Sequence, residues 1–309
     1  MKPDDRIEAV NHVGIVVTDL RAAEEFYTGL LGFPPHPAHP SWLLLNEHSS
    51  LHLIEIPEAR EDEAIFREVQ HVAFQVPSLG RVRELALEHG RRAFQMDFEG
   101  NQREISSASD DLSFGIGTIF VPDPAGNLLE FLEVGRGVFT REIVEAAVRR
   151  TRDALGERPV RVSAINHACM LVGDAEEARQ FYGSVLGLSR DPRDPDGDWF
   201  TVTRSTSIHT APAPEVNEDP SWIHRMNHFA LEVEHAAAVH ALLRSRGLNV
   251  FRIVEQDADR IDVACAAADM PIYLAGESFF VYDPDGNLIE FGDRKAFQAR
   301  PLQRATATT

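Results

Sequence analysis

The stretch from Phe279 to Phe291, FFVYDPDGNLIEF, reads as a β-hairpin: an apolar strand, a turn over Asp283-Pro284-Asp285-Gly286-Asn287, and a return strand carrying one acid, Glu290. Proline presets the backbone angle of the turn, and glycine takes the positive φ that other residues resist. Side chains alternate across a strand, so Ile289 and Phe291 face one side while Leu288, Glu290 and Gly292 face the other. A carboxylate held between apolar neighbours is costly unless something compensates it, and a metal ion would do so. Working outward, the strand from Asn227 to Val233 puts Phe229, Leu231 and Val233 on its core face and leaves His228 beside the small Ala230 on the other. Imidazole and carboxylate on two strands of one sheet suit a divalent metal. Taken singly, each residue reads more simply as a buried histidine or a capped acid.

An internal duplication shifts that balance. NHVGIVV from Asn11, then Asp19 as a helix cap, the helix AAEEFYTGLL and Gly32, recur as NHACMLV, Asp174, AEEARQFYGSVL and Gly187. His12 and His167, Phe26-Tyr27 and Phe181-Tyr182, and Gly32 and Gly187 all stand 155 positions apart. His52 matches His209, and His71 matches His228, at 157; the hairpin with Glu130 matches the hairpin with Glu290 at 160. Slips of this size are what loop insertions leave. Each half divides again, because His71 and His228 open strand-then-helix units as His12 and His167 do. The chain thus reads as four units of strand, helix and further strands. The expected domains are residues 1–136 and 160–295, joined by a connecting helix within 137–159 and followed by a polar tail, 296–309. Two long connections, Asp97 to Gly117 and Val254 to Glu277, read equally as cleft lids or as docked surface loops.

At 309 residues there is chain enough for two domains with real cores. A net charge of -19 argues against nucleic-acid or anionic-membrane partners, since no basic surplus exists to neutralise phosphates. The start, MKPDDRIEAV, has no apolar core of a secretory signal, and no apolar run approaches a bilayer span. Cys169 and Cys265 are far apart and form no CxxC pair, so a reducing cytoplasm fits best.

Six of the thirteen histidines occupy matched strand positions: His12, His52, His71, His167, His209 and His228. Two places after each unit-opening histidine stands a small residue, Gly14, Ala73, Cys169 or Ala230, which leaves space around each imidazole. Two histidines and one carboxylate with open positions make the facial set of non-haem iron oxygenases; a further protein ligand favours a Lewis-acid site for zinc, nickel, cobalt or manganese. Spacing does not choose between these.

The NHVGIVVTDL/EEFYTGLLGF and NHACMLVGDA/ARQFYGSVLGL segments, the HVAFQV and HFALEV strands and the two DPxGNLxEF hairpins resemble the vicinal oxygen chelate superfamily, which includes glyoxalase I, bleomycin resistance proteins and type I extradiol dioxygenases. The resemblance implies an α+β fold of two tandem domains, each of two paired βαβββ modules curling a sheet around a metal cleft. Four modules in one chain resemble the extradiol dioxygenases in particular. That likeness implies Fe(II) held by His167, His228 and Glu290, with His209 as acid-base residue, and a catechol-like aromatic diol cleaved with O2. A second metal set would be His12, His71 and Glu130, with His52 as a fourth ligand. Phe280 departs from the tyrosine usual in that family ten residues before the glutamate. Two other readings stay open: a redox-neutral lyase or isomerase using Mn, Zn, Ni or Co, in which His209 would bind the metal, and a drug-binding resistance protein. In all three the partner is a small molecule, and a homo-oligomer is compatible with each.

Overall fold

The computed structural model describes residues 7–36, 39–46, 49–57, 70–97, 99–133, 162, 164–191, 198–203, 206–213, 227–251, 254–255, 261–262 and 278–293. The connecting helix, the tail, most of the segment from Val254 to Glu277, and Cys265 lie outside them.

Four βαβββ modules follow one another. The first holds β1 (Ile7–Val17), β2 (Pro35–His36), β3 (His39–Leu44) and β4 (Ser50–Glu55); the second holds β5 (His71–Val76), β6 (Phe94–Met96), β7 (Gln102–Glu104), β8 (Ile119–Pro122) and β9 (Leu128–Glu133). The third holds β10 (Ala164–Val172), β11 (Ser189–Arg190), β12 (Trp199–Thr201) and β13 (Ser207–Pro212). The fourth holds β14 (His228–Val233), the short pair β15 (Val254–Glu255) and β16 (Ile261–Asp262), β17 (Ser278–Tyr282) and β18 (Leu288–Asp293). Asp19, Ser78 and Asp174 cap the helices that follow the opening strands of the first three modules, each accepting backbone N–H groups of the first turn.

The sheets do not follow the order of the halves. β1 pairs antiparallel with β14, so the first and fourth modules share a seven-stranded sheet; β10 pairs antiparallel with β5, so the second and third share a nine-stranded one. Two modules do build each sheet, but they come from different halves of the chain. The ranges 1–136 and 160–295 thus each contribute one module to each sheet. The four opening strands carry near-equivalent edges, and a repeat offset contains no term that selects which edge meets which.

The core faces of both sheets meet in one apolar cluster, with Val13, Ile15, Phe229, Leu231 and Phe291 from the first sheet and Phe74, Phe131, Ile165 and Met170 from the second. Each half is also bolted internally. The helices at Phe26-Tyr27 and Phe181-Tyr182 widen into π-turns, Glu25–Leu30 and Gln180–Val185. The Tyr27 hydroxyl donates to Asp123 Oδ2 at 2.9 Å, and that of Tyr182 to Asp283 Oδ2 at 2.8 Å. Asn127 and Asn287 tie the same turns to the carbonyls of Val16 and Leu171 at 2.8 Å. Burial raises the Asp283 carboxyl to about 6, against hydrogen bonds from Asn287 and Tyr182 that lower it. Tyr182→Phe withdraws one of those bonds from a buried acid. A loss of about 1.5–3 kcal/mol is expected from the urea midpoint, with no change in metal content; an unchanged midpoint would show the bolt to be dispensable.

Candidate metal centres

The two sheets present equivalent clusters on the faces turned from the shared core. On the first sheet His12 Nε2 lies 2.9 Å from Glu290 Oε2 and 3.0 Å from His228 Nε2, and His228 Nε2 lies 3.4 Å from the same carboxylate oxygen. On the second, His167 Nε2 lies 3.0 Å from both Glu130 Oε2 and His71 Nε2, and His71 Nε2 lies 3.2 Å from Glu130. Donors about 2.1 Å from one ion and at right angles are about 3.0 Å apart, so each trio has the spacing of three ligands to a single metal.

Pairing across the halves fixes these sets. In register, Gly14 faces His228 and Ala230 faces both His12 and Glu290, while Ala73 faces His167 and Glu130. The set His167, His228 and Glu290 is therefore not brought together: His167 lies on one sheet with Glu130 and His71, and Glu290 lies on the other with His12 and His228. The set His12, His52, His71 and Glu130 divides in the same way, His12 and His52 going with Glu290 and His71 with Glu130. What adjacent sequence suggested as two half-chain sets falls in the structure into two cross-half clusters.

A register shift interrupts β1 between Val10 and His12, and β10 between Ile165 and His167. Such bulges re-aim side chains, and here neighbours that would point to opposite faces come together. Asn11 Oδ1 accepts from His12 Nδ1 at 3.1 Å, and Asn166 Oδ1 from His167 Nδ1 at 2.8 Å. A proton held on Nδ1 leaves the Nε2 lone pair for a metal. Neither asparagine stood out in the sequence, although both precede their histidines at the common offset of 155. Trp42 and Trp199 were also missed, at the 157 offset of His52 and His209. Trp42 stacks on His52 with centroids 4.4 Å apart, and Trp199 on His209 at 4.5 Å. His52 thereby brings a ligand atom within 4.8 Å of those of His12 and His228, whereas His209 is grouped at that range with His71 and Cys169.

Burial alone would raise both carboxyls, but the imidazoles beside them hold Glu290 and Glu130 well below the usual range. Burial lowers His167 to about 4 against the pull of Glu130. Burial also lowers His71, but Cys169 and Glu130 together raise it well above its ordinary value. Cys169 is pushed up by burial and brought down to about 6 by His71 and His209.

A model of the glyoxalase/bleomycin resistance protein/dioxygenase superfamily matches residues 9–131 and 164–291. The chain belongs to this superfamily. It is 26% identical over 152 residues to Glyoxylase I 4 of Arabidopsis thaliana, covering 47% of this chain and 78% of that one. Glyoxalase I from Zea mays superposes with a TM-score of 0.52 at 13% identity, over 94% of each chain. A Bacillus subtilis chain named as a candidate dioxygenase superposes at 0.58 with 13% identity, over 94% of this chain and 87% of that one. At such identities the likeness is one of fold.

Members of the superfamily bind divalent metals, and the residues present fit one. The donors converge with ligand spacing, and a Cβ at Gly14 would lie 2.1 Å from His228 Cε1, so this glycine keeps clear the space that the imidazole needs.

Proposed function

We propose that the centre of His12, His52, His228 and Glu290 holds a divalent metal and catalyses a redox-neutral lyase or isomerase reaction on a small molecule bearing vicinal oxygens. The observation that carries this reading is the fourth donor: with His52 in reach of His12 and His228, four protein ligands leave two positions for two substrate oxygens and none for O2. A bound metal would supply Lewis-acid stabilisation of the oxyanion that forms when a proton leaves the adjacent carbon. In this reading Glu290, the carboxylate of this centre, accepts that proton and returns it to the neighbouring carbon. Asn11 fixes the His12 ring, and Trp42 fixes that of His52. Phe251, Phe280 and Leu288, packed together beside Glu290 on the same face of the sheet, keep water from the carboxylate.

The second reading is an Fe(II) ring-cleaving dioxygenase acting on an aromatic diol with O2. It is favoured by the compactness of the trio His12, His228 and Glu290, with His52 as the more distant member. In that reading His52 stands off the metal.

Protein stripped of metal and reloaded with nickel, cobalt, zinc or manganese is assayed with a 2-oxoaldehyde and thiol; anaerobically iron-loaded protein is assayed with catechols in an oxygen electrode. Isomerised product without oxygen uptake is expected, with Glu290→Gln losing about 10²–10⁴-fold in turnover. Catechol-dependent oxygen uptake, with His52→Ala keeping its iron, would overturn the redox-neutral reading.

A further inference from the structure

The two centres match residue for residue: His12 with His167, His228 with His71, His52 with His209, Glu290 with Glu130, Asn11 with Asn166, Trp42 with Trp199. One position breaks the match. Where the first centre has Gly14, the second has Cys169, 155 positions on. At Gly14 the His228 ring occupies the volume that a Cβ would take. Cys169 has that Cβ, and its side chain lies beside the His71 ring. The extra atoms end in a buried thiol whose Sγ, His71 and His209 ligand atoms all lie within 4.8 Å of one another.

We infer that the second centre is a thiolate-bearing metal site, in which Cys169 Sγ joins His71 and His209 beside Glu130 and His167, and that it selects a thiophilic ion where the first centre presents only nitrogen and oxygen. This rests on the metal-binding part of the proposed function and is independent of the reaction assigned to the first centre. Thiolate is a soft ligand that favours zinc or cobalt over magnesium or manganese. Its proton leaves to solvent as the metal arrives, with no change of oxidation state. On this assignment His209 is a ligand of the second centre and not a proton shuttle.

The test uses the full chain carrying Glu290→Ala, the change expected to empty the first centre, stripped under reducing conditions and titrated with Co(II). Elemental analysis is expected to give one cobalt per chain, accompanied by a near-ultraviolet thiolate-to-cobalt charge-transfer band. Adding Cys169→Gly, which installs the residue of the other centre, should abolish the band while cobalt remains bound. This variant also assigns the band to Cys169 and not to Cys265. Should the glycine variant fail to fold, Cys169→Ser reads the same loss. Cobalt bound without the band would overturn the thiolate assignment and leave metal binding standing. No cobalt at all would overturn both for this centre, and neither result touches the chemistry proposed for the first.

Discussion

Glu290→Ala is expected to empty the first centre of metal while the second stays loaded, and Glu130→Ala to do the reverse. Each carboxylate is shared by two imidazoles at 2.9–3.4 Å, so its loss removes a ligand and also the charge that balances the ion. Loss of an outer-shell partner alone weakens metal sites by about 10–100-fold, and loss of a ligand should exceed that. In metal-free protein the same change leaves a buried charge cluster without one partner, which costs about 3–5 kcal/mol. The histidines decide whether the sites cross the halves. His12→Ala should behave as Glu290→Ala does, and His71→Ala as Glu130→Ala does, in metal content per chain. If His12→Ala instead depleted the metal that Glu130→Ala depletes, the cross-half assignment would fail.

Much of this was legible in the sequence because strand alternation and the repeat offset are local. They placed His12, His52, His71, His167, His209 and His228 on the faces opposite the core, and they marked Glu130 and Glu290 as acids needing compensation. Which histidine meets which glutamate is not local. It depends on β1 pairing with β14 and β10 with β5, long-range pairings among four near-identical modules, while the Tyr27–Asp123 and Tyr182–Asp283 bolts hold the two sheets together. The bulges before His12 and His167 were invisible for a different reason: strict alternation assigns Asn11 and His12 to opposite faces, and only the register shift brings them together. Trp42 and Trp199 carried a usable signal in their 157-residue spacing, but their flanking residues, SWLLL and DWFTV, share little else.

Metal-free protein should lose stability steadily as pH falls from neutral to about 4. The largest contribution is that of His167, held neutral by burial with its folded value lowered to about 4 against about 6.5 when unfolded. The unfolded chain takes up a proton on this residue first, so stability present above the unfolded value is lost through that window. The loss is on the order of 3 kcal/mol. Glu130 and Glu290, both lowered by their imidazole partners, act later in the same direction: their contributions are present above the usual carboxylate range and disappear as pH falls through their folded values. His71 is raised and Cys169 lowered by one another. The unfolded pair takes its second proton below about 6.5 and the folded pair below about 6, so the two add little slope in the acid window and that from His167 should be visible. Urea midpoints measured from pH 7 to pH 4 in the presence of a chelator check this, and a flat profile would show that His167 is not buried as a neutral imidazole. Zinc at 100 times its Kd should add about 2.7 kcal/mol per centre at neutral pH. That increment should vanish over the acid window, because protons and metal compete for the same Nε2 and carboxylate lone pairs.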